Sequence, residues 1–254
     1  MAHTGGSRLD DWVARRIDIL TLFPEMVAAV LATSIPKRCA DKGLVKYHLT
    51  NIRDFATDAH KSVDDKPFGG GPGMVMMCPT VFAALEHVQQ QDPRPATRIL
   101  LTPQGRRFDQ DLAQELAGHQ RLLLIAGHYE GFDQRIIDGL EPLEVSVGDY
   151  VLSSGELAAL VVVDGIVRLY PGALGAETGA IDESFADGLL EYPQYTRPRE
   201  FRGMGVPEVL LSGNHEVIAR WRLEQRRQRT QNKRPDLWQA YEARQVRSQN
   251  RSQP

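Results

Sequence analysis

Short apolar runs rich in branched side chains alternate along this chain with amphipathic stretches of helical spacing. That alternation predicts most of its elements. Residues 17–22 (IDILTL) read as a buried strand, and Pro24 suits the first turn of a helix that sets Val27, Val30 and Leu31 on one face. Residues 44–50 read as a strand and residues 80–90 as an amphipathic helix. Residues 98–102 and 121–127 read as strands flanking a helix over about 109–117. The run 156–170 has ambiguous periodicity, but its length and leading Glu156 favour a helix. Strands and helices in this order predict an α/β domain, a mostly parallel sheet with helices on both faces. Residues 172–188 mix Gly, Ala and acidic side chains with little apolar content, as an interdomain linker or mobile loop does. Beyond them Asn214 can cap a helix bearing Val217, Ile218 and Trp221 as a core stripe. Pro235 can open another with Leu237, Trp238 and Tyr241. The expected organisation is an extension (1–15), an α/β domain (16–175), a linker (176–188) and a small all-helical domain (189–254).

Composition narrows the class. Hydrophobic residues make up 42% and charged residues 25%, as in ordinary soluble globular proteins. No run approaches the roughly 20 apolar residues that span a bilayer, and the N-terminus lacks an apolar signal core. Cys39 and Cys78 stand far apart with no CxxC pair, so neither a zinc site nor a disulfide framework is suggested. A reducing cytoplasm fits best. The net charge is −3, yet residues 214–254 hold ten Arg or Lys against four Asp or Glu, a net +6 that leaves −9 for the rest. A basic C-terminal module of this kind can meet phosphates, or it can be a solvated helical face. Arg220 and Arg222 are candidate phosphate contacts, and Asn214 and His215 stand where a helix start can meet an anion.

Glycines mark the candidate pocket. Thr102-Pro103-Gln104-Gly105, Gly127-His128-Tyr129-Glu130-Gly131 and Val147-Gly148-Asp149-Tyr150-Val151-Leu152 each follow a strand. Three such loops on one rim of a parallel sheet are where α/β folds bind ligands. Neither GxGxxG nor the GxxxxGK[ST] phosphate loop is present, so the pocket is of another kind. GGGPGM (69–74) could form an anion nest, a docking surface or only a turn.

These stretches closely resemble the bacterial tRNA (guanine-N1-)-methyltransferase family, whose cofactor site is built from a knotted chain. Seven blocks carry the resemblance in order: RIDILTLFPEMV, KPFGGGPGMVM, LTPQGRRFDQ, GHYEGFD, SVGDYVLSSGELAALVVVDGIVRLYPGALG, ESFADGLLEYPQYTRP and VLLSGNHEVIARWR. It implies a SPOUT-class domain with a trefoil knot around residues 101–175, and S-adenosylmethionine as methyl donor. The implied donor site comprises Thr102, Pro103, Gln104, Gly127, Tyr129, Glu130, Gly131 and the loop Val147 to Leu152, together with Ser154, Gly155 and Ala158, and His128 would face the substrate. The family pattern LSGGELPA stands here as LSSGELAA, with Ser154 for a glycine and Ala158 for a proline. The resemblance further implies Arg168 as the cation that stabilises charge on guanine O6. The general base would be Glu183, aligned with the family's aspartate, or Asp182 beside it. Expected partners are tRNA, methylated at guanosine 37, and a second copy of the chain, with the active site at the subunit interface. A magnesium requirement would follow by analogy alone. The rival readings are another knotted-class RNA methyltransferase, acting on ribose or ribosomal RNA, and a non-catalytic RNA-binding relative. The block Tyr195-Thr196-Arg197-Pro198 matches the family without a role to assign to it.

Overall fold

A computed structural model describes residues 14–175 and 183–251. The chain divides into two compact units, Met1–Gly175 and Ala176–Pro254. The first unit is built on β1 (Arg15–Thr21), β2 (Val45–Asn51), the short antiparallel pair β3 (Asp64–Asp65) and β4 (Val75–Met76), β5 (Thr97–Arg107), β6 (Arg121–Ala126) and β7 (Leu143–Ser146). Its helices are α1 (Pro24–Leu31), α2 (Ser34–Asp41), α3 (Cys78–Gln91), α4 (Gln110–Ala117), α5 (Gln134–Leu140) and α6 (Gly155–Val167). Five strands form one wholly parallel sheet in the order β2-β1-β6-β5-β7.

Strand alternation divides the core in two. Ile17 and Ile19, with Leu122, Leu124 and Ala126, pack under α1, α2, α4 and α6. Leu20, Leu123 and Ile125 turn to the opposite face, against α3 and α5. Burial on both faces is why RLLLIA reads as an unbroken apolar run. Helix α1 buries Val27 and Leu31, but Val30 is 44% exposed. The eight-residue helix presents only a narrow stripe to the sheet, so Val30 lies off the expected face.

The two ends of the sheet differ in chemistry. At the amino end Asp18, fully buried, accepts hydrogen bonds from Arg16 Nε at 2.8 Å and from the equally buried Arg121 Nε at 2.9 Å. Arg121 also donates to the Val88 and Arg94 carbonyls at 2.8 and 2.9 Å, so its guanidinium is well satisfied. The carboxyl end is open and glycine-rich. There β5 does not stop at Thr102. Leu101 and Arg106 both pair with Val145, and residues 102–105 bulge out between them. The expected loop is thus an excursion inside one long strand. It needs Gly105, where a Cβ would fall on the Val145 backbone nitrogen.

The second unit holds β8 (Glu200–Phe201) and β9 (Met204–Gly205), paired antiparallel, then α7 (Glu208–Leu211), α8 (His215–Lys233) and α9 (Pro235–Arg251). The small strand pair corrects the all-helical expectation. Asn214 caps α8, its side chain accepting from Val217 N at 3.2 Å. The core stripe expected on α8 is not one. Val217 is 41% exposed, Trp221 is half-buried, and Thr230 is the buried residue of that helix. Leu189 is the one buried large hydrophobic of this unit among the described residues. So small a unit has little interior to offer an α8 stripe.

Candidate functional site

The carboxyl edge of the sheet opens into a cavity of about 500 Å³, within the usual range of small-molecule sites. Four segments line it: the end of β5 with its bulge (Thr102, Pro103, Gln104), the loop after β6 (Gly127, His128, Tyr129, Glu130, Gly131), the loop after β7 (Val147, Gly148, Tyr150, Val151, Leu152) and the start of α6 (Ser154, Gly155, Ala158). Fifteen of the sixteen residues expected in a donor site therefore share one cavity. Asp149 is the exception: it is absent from the lining, while Gly148 and Tyr150 on either side of it belong to the wall.

Close backbone approach shapes the wall. Gly155 N donates to the Gly127 carbonyl at 2.7 Å, and a Cβ on Gly155 would sit 2.7 Å from Gly127 N and 2.9 Å from Ala126 Cα. Only a residue without a side chain lets α6 begin this close to the end of β6. Ser154, one position earlier, has φ −162° and ψ 162°, extended backbone open to any residue, so its serine needs no glycine conformation. Tyr129 takes φ +61°, uncommon for a side chain of its size. Its ring meets His128 edge-on at 4.8 Å, and His128 in turn lies 5.4 Å from Phe23. Burial first, then the nearby Asp64 carboxylate, pushes the Tyr129 hydroxyl up from its ordinary value, so it is a neutral donor near pH 7. His128 Nδ1 is buried with no hydrogen-bond partner among the described residues. A buried polar atom left so in a cavity wall calls for a ligand or water to satisfy it.

Residues that sequence reasoning missed complete the site. Glu156, wholly buried at the first turn of α6, accepts from Thr21 Oγ1 at 2.6 Å and Leu22 N at 3.3 Å. It ties the end of β1 to the helix start that walls the pocket. Phe132 lies under Gly127, and Gln134 and Ile137 of α5 join the lining. The signal for α5 was present: Asp133 caps it, and Ile136 and Leu140 recur at helical spacing. GGGPGM is bound to this site by backbone, since Glu130 N donates to Met74 O at 2.9 Å and Met76 N to Gly131 O at 2.9 Å.

The remaining expected residues lie elsewhere. Arg168 caps the carboxyl end of α6, the end opposite the cavity, and is absent from the lining. Glu183 begins a turn in the second unit, its carbonyl accepting from Ala186 N at 3.3 Å. Asp182 falls outside the described residues. Asn214 and His215 stand exposed at the start of α8. Arg220 pairs with Glu216 at 3.0 Å on the exposed face, a contact worth little. Arg226 is committed to Asp187. Arg222 lies over the Tyr192 ring, 4.6 Å from its centroid. Among the described residues no three His, Cys, Asp or Glu side chains gather into a metal site.

Fold and site together define the class: a parallel α/β ligand-binding domain with a glycine-lined pocket at its carboxyl edge, followed in the chain by an arginine-rich helical unit. The model of the family described as tRNA (guanine-1)-methyltransferase TrmD matches residues 15–240. Among similar proteins, a tRNA (guanine-N(1)-)-methyltransferase of Moorella thermoacetica is 55% identical over 224 residues, 87% of this chain and 89% of that one. One from Geobacillus kaustophilus is 54% identical over 226 residues, covering 89% and 92%. One from Dehalococcoides mccartyi (strain BAV1) is 53% identical over 223 residues, covering 88% and 90%. This chain belongs to the tRNA (guanine-N1-)-methyltransferase family.

Proposed function

We propose that the carboxyl-edge pocket takes S-adenosylmethionine and that its methyl group passes to N1 of guanosine 37 in tRNA. The observation that carries this reading is the pocket itself, whose backbone-lined walls fall within the family match over residues 15–240. The residues fit the donor. Segments 127–131 and 147–152 offer backbone groups to an adenine and ribose, and His128 Nδ1 awaits a partner. When bound, S-adenosylmethionine supplies an electrophilic methyl on a sulfonium.

This chain's residues must do the rest. Guanine N1 carries a proton at neutral pH, so its lone pair is not free to attack. A carboxylate removes that proton, Glu183 in our assignment with Asp182 as the alternative, and negative charge spreads toward O6. Arg168 meets that charge with a guanidinium that never loses its proton. A magnesium requirement rests on family analogy alone, since among the described residues no three His, Cys, Asp or Glu side chains gather.

The position of Arg168 argues for a dimer. Helix α6 runs 13 residues, so the pocket at its start and Arg168 at its end stand about 20 Å apart in one chain. Leu157 and Val161, 44% and 51% exposed, continue through the exposed Asp164 to Arg168 along one stripe of that helix. Two copies packed on this stripe about a two-fold axis perpendicular to α6 run those helices antiparallel, which carries each Arg168 toward the partner's pocket. The same reading extends the family's knotted threading to residues 101–175, which lie within the family match. Methyl transfer from labelled S-adenosylmethionine to an unmodified tRNA transcript tests the activity. We expect label as 1-methylguanosine at position 37 and none when adenosine stands there; label on ribose would favour the rival knotted-class reading.

A further inference from the structure

The Tyr195-Thr196-Arg197-Pro198 block has no part in the pocket described above, yet its Tyr195, Thr196 and Arg197 wall a second cavity of about 340 Å³ that lies wholly in the C-terminal unit. Its floor is apolar, with Leu210 and Ile218. Its rim is aromatic and cationic: Tyr192, Tyr195, Arg197, Arg199 and Arg222 all line it, and no Asp or Glu does. Arg222 is held over the Tyr192 ring, and its buried Nε has no hydrogen-bond partner among the described residues. None of the three arginines forms an ion pair among those residues, whereas Arg220 and Arg226 on the same helix do. The Tyr195 ring, 48% exposed, stacks on no other ring among them. An apolar floor beside three guanidiniums without ion-pair partners among the described residues suits a molecule that is aromatic at one end and anionic at the other.

We propose that this cavity is a nucleotide subsite, taking one unstacked base of the tRNA on Tyr195 with its phosphate on Arg197, Arg199 and Arg222. The proposal rests on the tRNA reading above. It adds a second point of capture, apart from the base that is methylated. Base–aromatic stacking tolerates any base, so the subsite would hold the RNA without selecting its sequence. The arginines supply phosphate contacts, each of which releases counterions and adds about one unit to the salt dependence.

The full-length protein and an anticodon-arm RNA transcript test this. Tyr195→Ala should weaken RNA binding about tenfold with an unchanged salt slope, because stacking releases no counterion. Tyr195→Phe, which keeps the ring, should bind as the parent does. Arg199→Gln should lower the salt slope by about one. Replacing each unpaired nucleotide in turn by an abasic unit should reveal one position whose loss costs the parent about tenfold and adds nothing in Tyr195→Ala. S-adenosylmethionine binding and thermal unfolding of each variant should match the parent. Unchanged RNA affinity in both Tyr195→Ala and Arg199→Gln would overturn the subsite. So would weakened binding with no coupled abasic position, since Tyr195 would then only brace the unit. If the parent itself neither binds nor methylates the RNA, the functional reading has failed and the subsite falls with it, a result seen in the parent alone.

Discussion

Gly155 and Ser154 are neighbours with opposite tolerance. A Cβ on Gly155 meets backbone atoms at 2.7 and 2.9 Å, so Gly155→Ala must push the start of α6 away from β6. We expect a loss of about 1–3 kcal/mol in stability, the usual cost of overpacking, and a fall of at least about tenfold in S-adenosylmethionine affinity by calorimetry, since a wall of the pocket moves. Ser154→Gly should change neither, because the serine sits in extended backbone. The apparent departure at Ser154 could be weighed from sequence only as a residue type; the φ angle that makes it harmless belongs to the fold. The acids remain a matter for substitution. Glu183→Gln should abolish most methyl transfer and Glu183→Asp keep part of it, with Asp182→Asn near normal. The reverse ranking would move the base to Asp182.

Individual elements were legible where burial is patterned, on both faces of a central strand or along one face of a helix. The strands 17–22 and 121–127 and helix 80–90 stood out because their apolar residues face packed layers. Four-residue β7 is too short for periodicity to speak, and the bulge in β5 depends on its pairing with β7, which no local pattern encodes. Nor does spacing show that Asp18 and Arg121, 103 residues apart, meet in the interior. That pair sits between β1 and β6, at the middle of the sheet. Asp18→Ala leaves Arg121 buried without its counter-charge and should cost about 3–5 kcal/mol, measured by urea unfolding. Nearby Asp92 is held well below the usual carboxylate range, chiefly by its hydrogen bond from Arg94. Its contribution is therefore present above the ordinary carboxylate pKa and lost as pH falls through the depressed value, so Asp92→Asn should flatten the acid limb of stability.

At the scale of the whole molecule, the pocket was legible because its glycine-bearing segments gather at the carboxyl edge of one parallel sheet. The separation of Arg168 from that pocket was not, since a helix's two ends are close in sequence and far apart in space. From that separation comes the central claim, that each active site draws on two chains. The exposed Leu157 and Val161, on the stripe that ends at Arg168, are the surface we assign to the second copy. Complementation measures this most directly. Arg168→Ala should lower the methylation rate about 10²-fold or more while leaving donor binding intact. Gly155→Val, verified as folded, should lack donor binding. Co-expressed in equal amounts, half of the dimers formed at random pair the two variants, and each such dimer holds one intact site. The mixture should then recover about a quarter of parental activity. If the mixture shows only the residual activity of the separate variants, Arg168 does not serve the partner's pocket and the shared site is wrong.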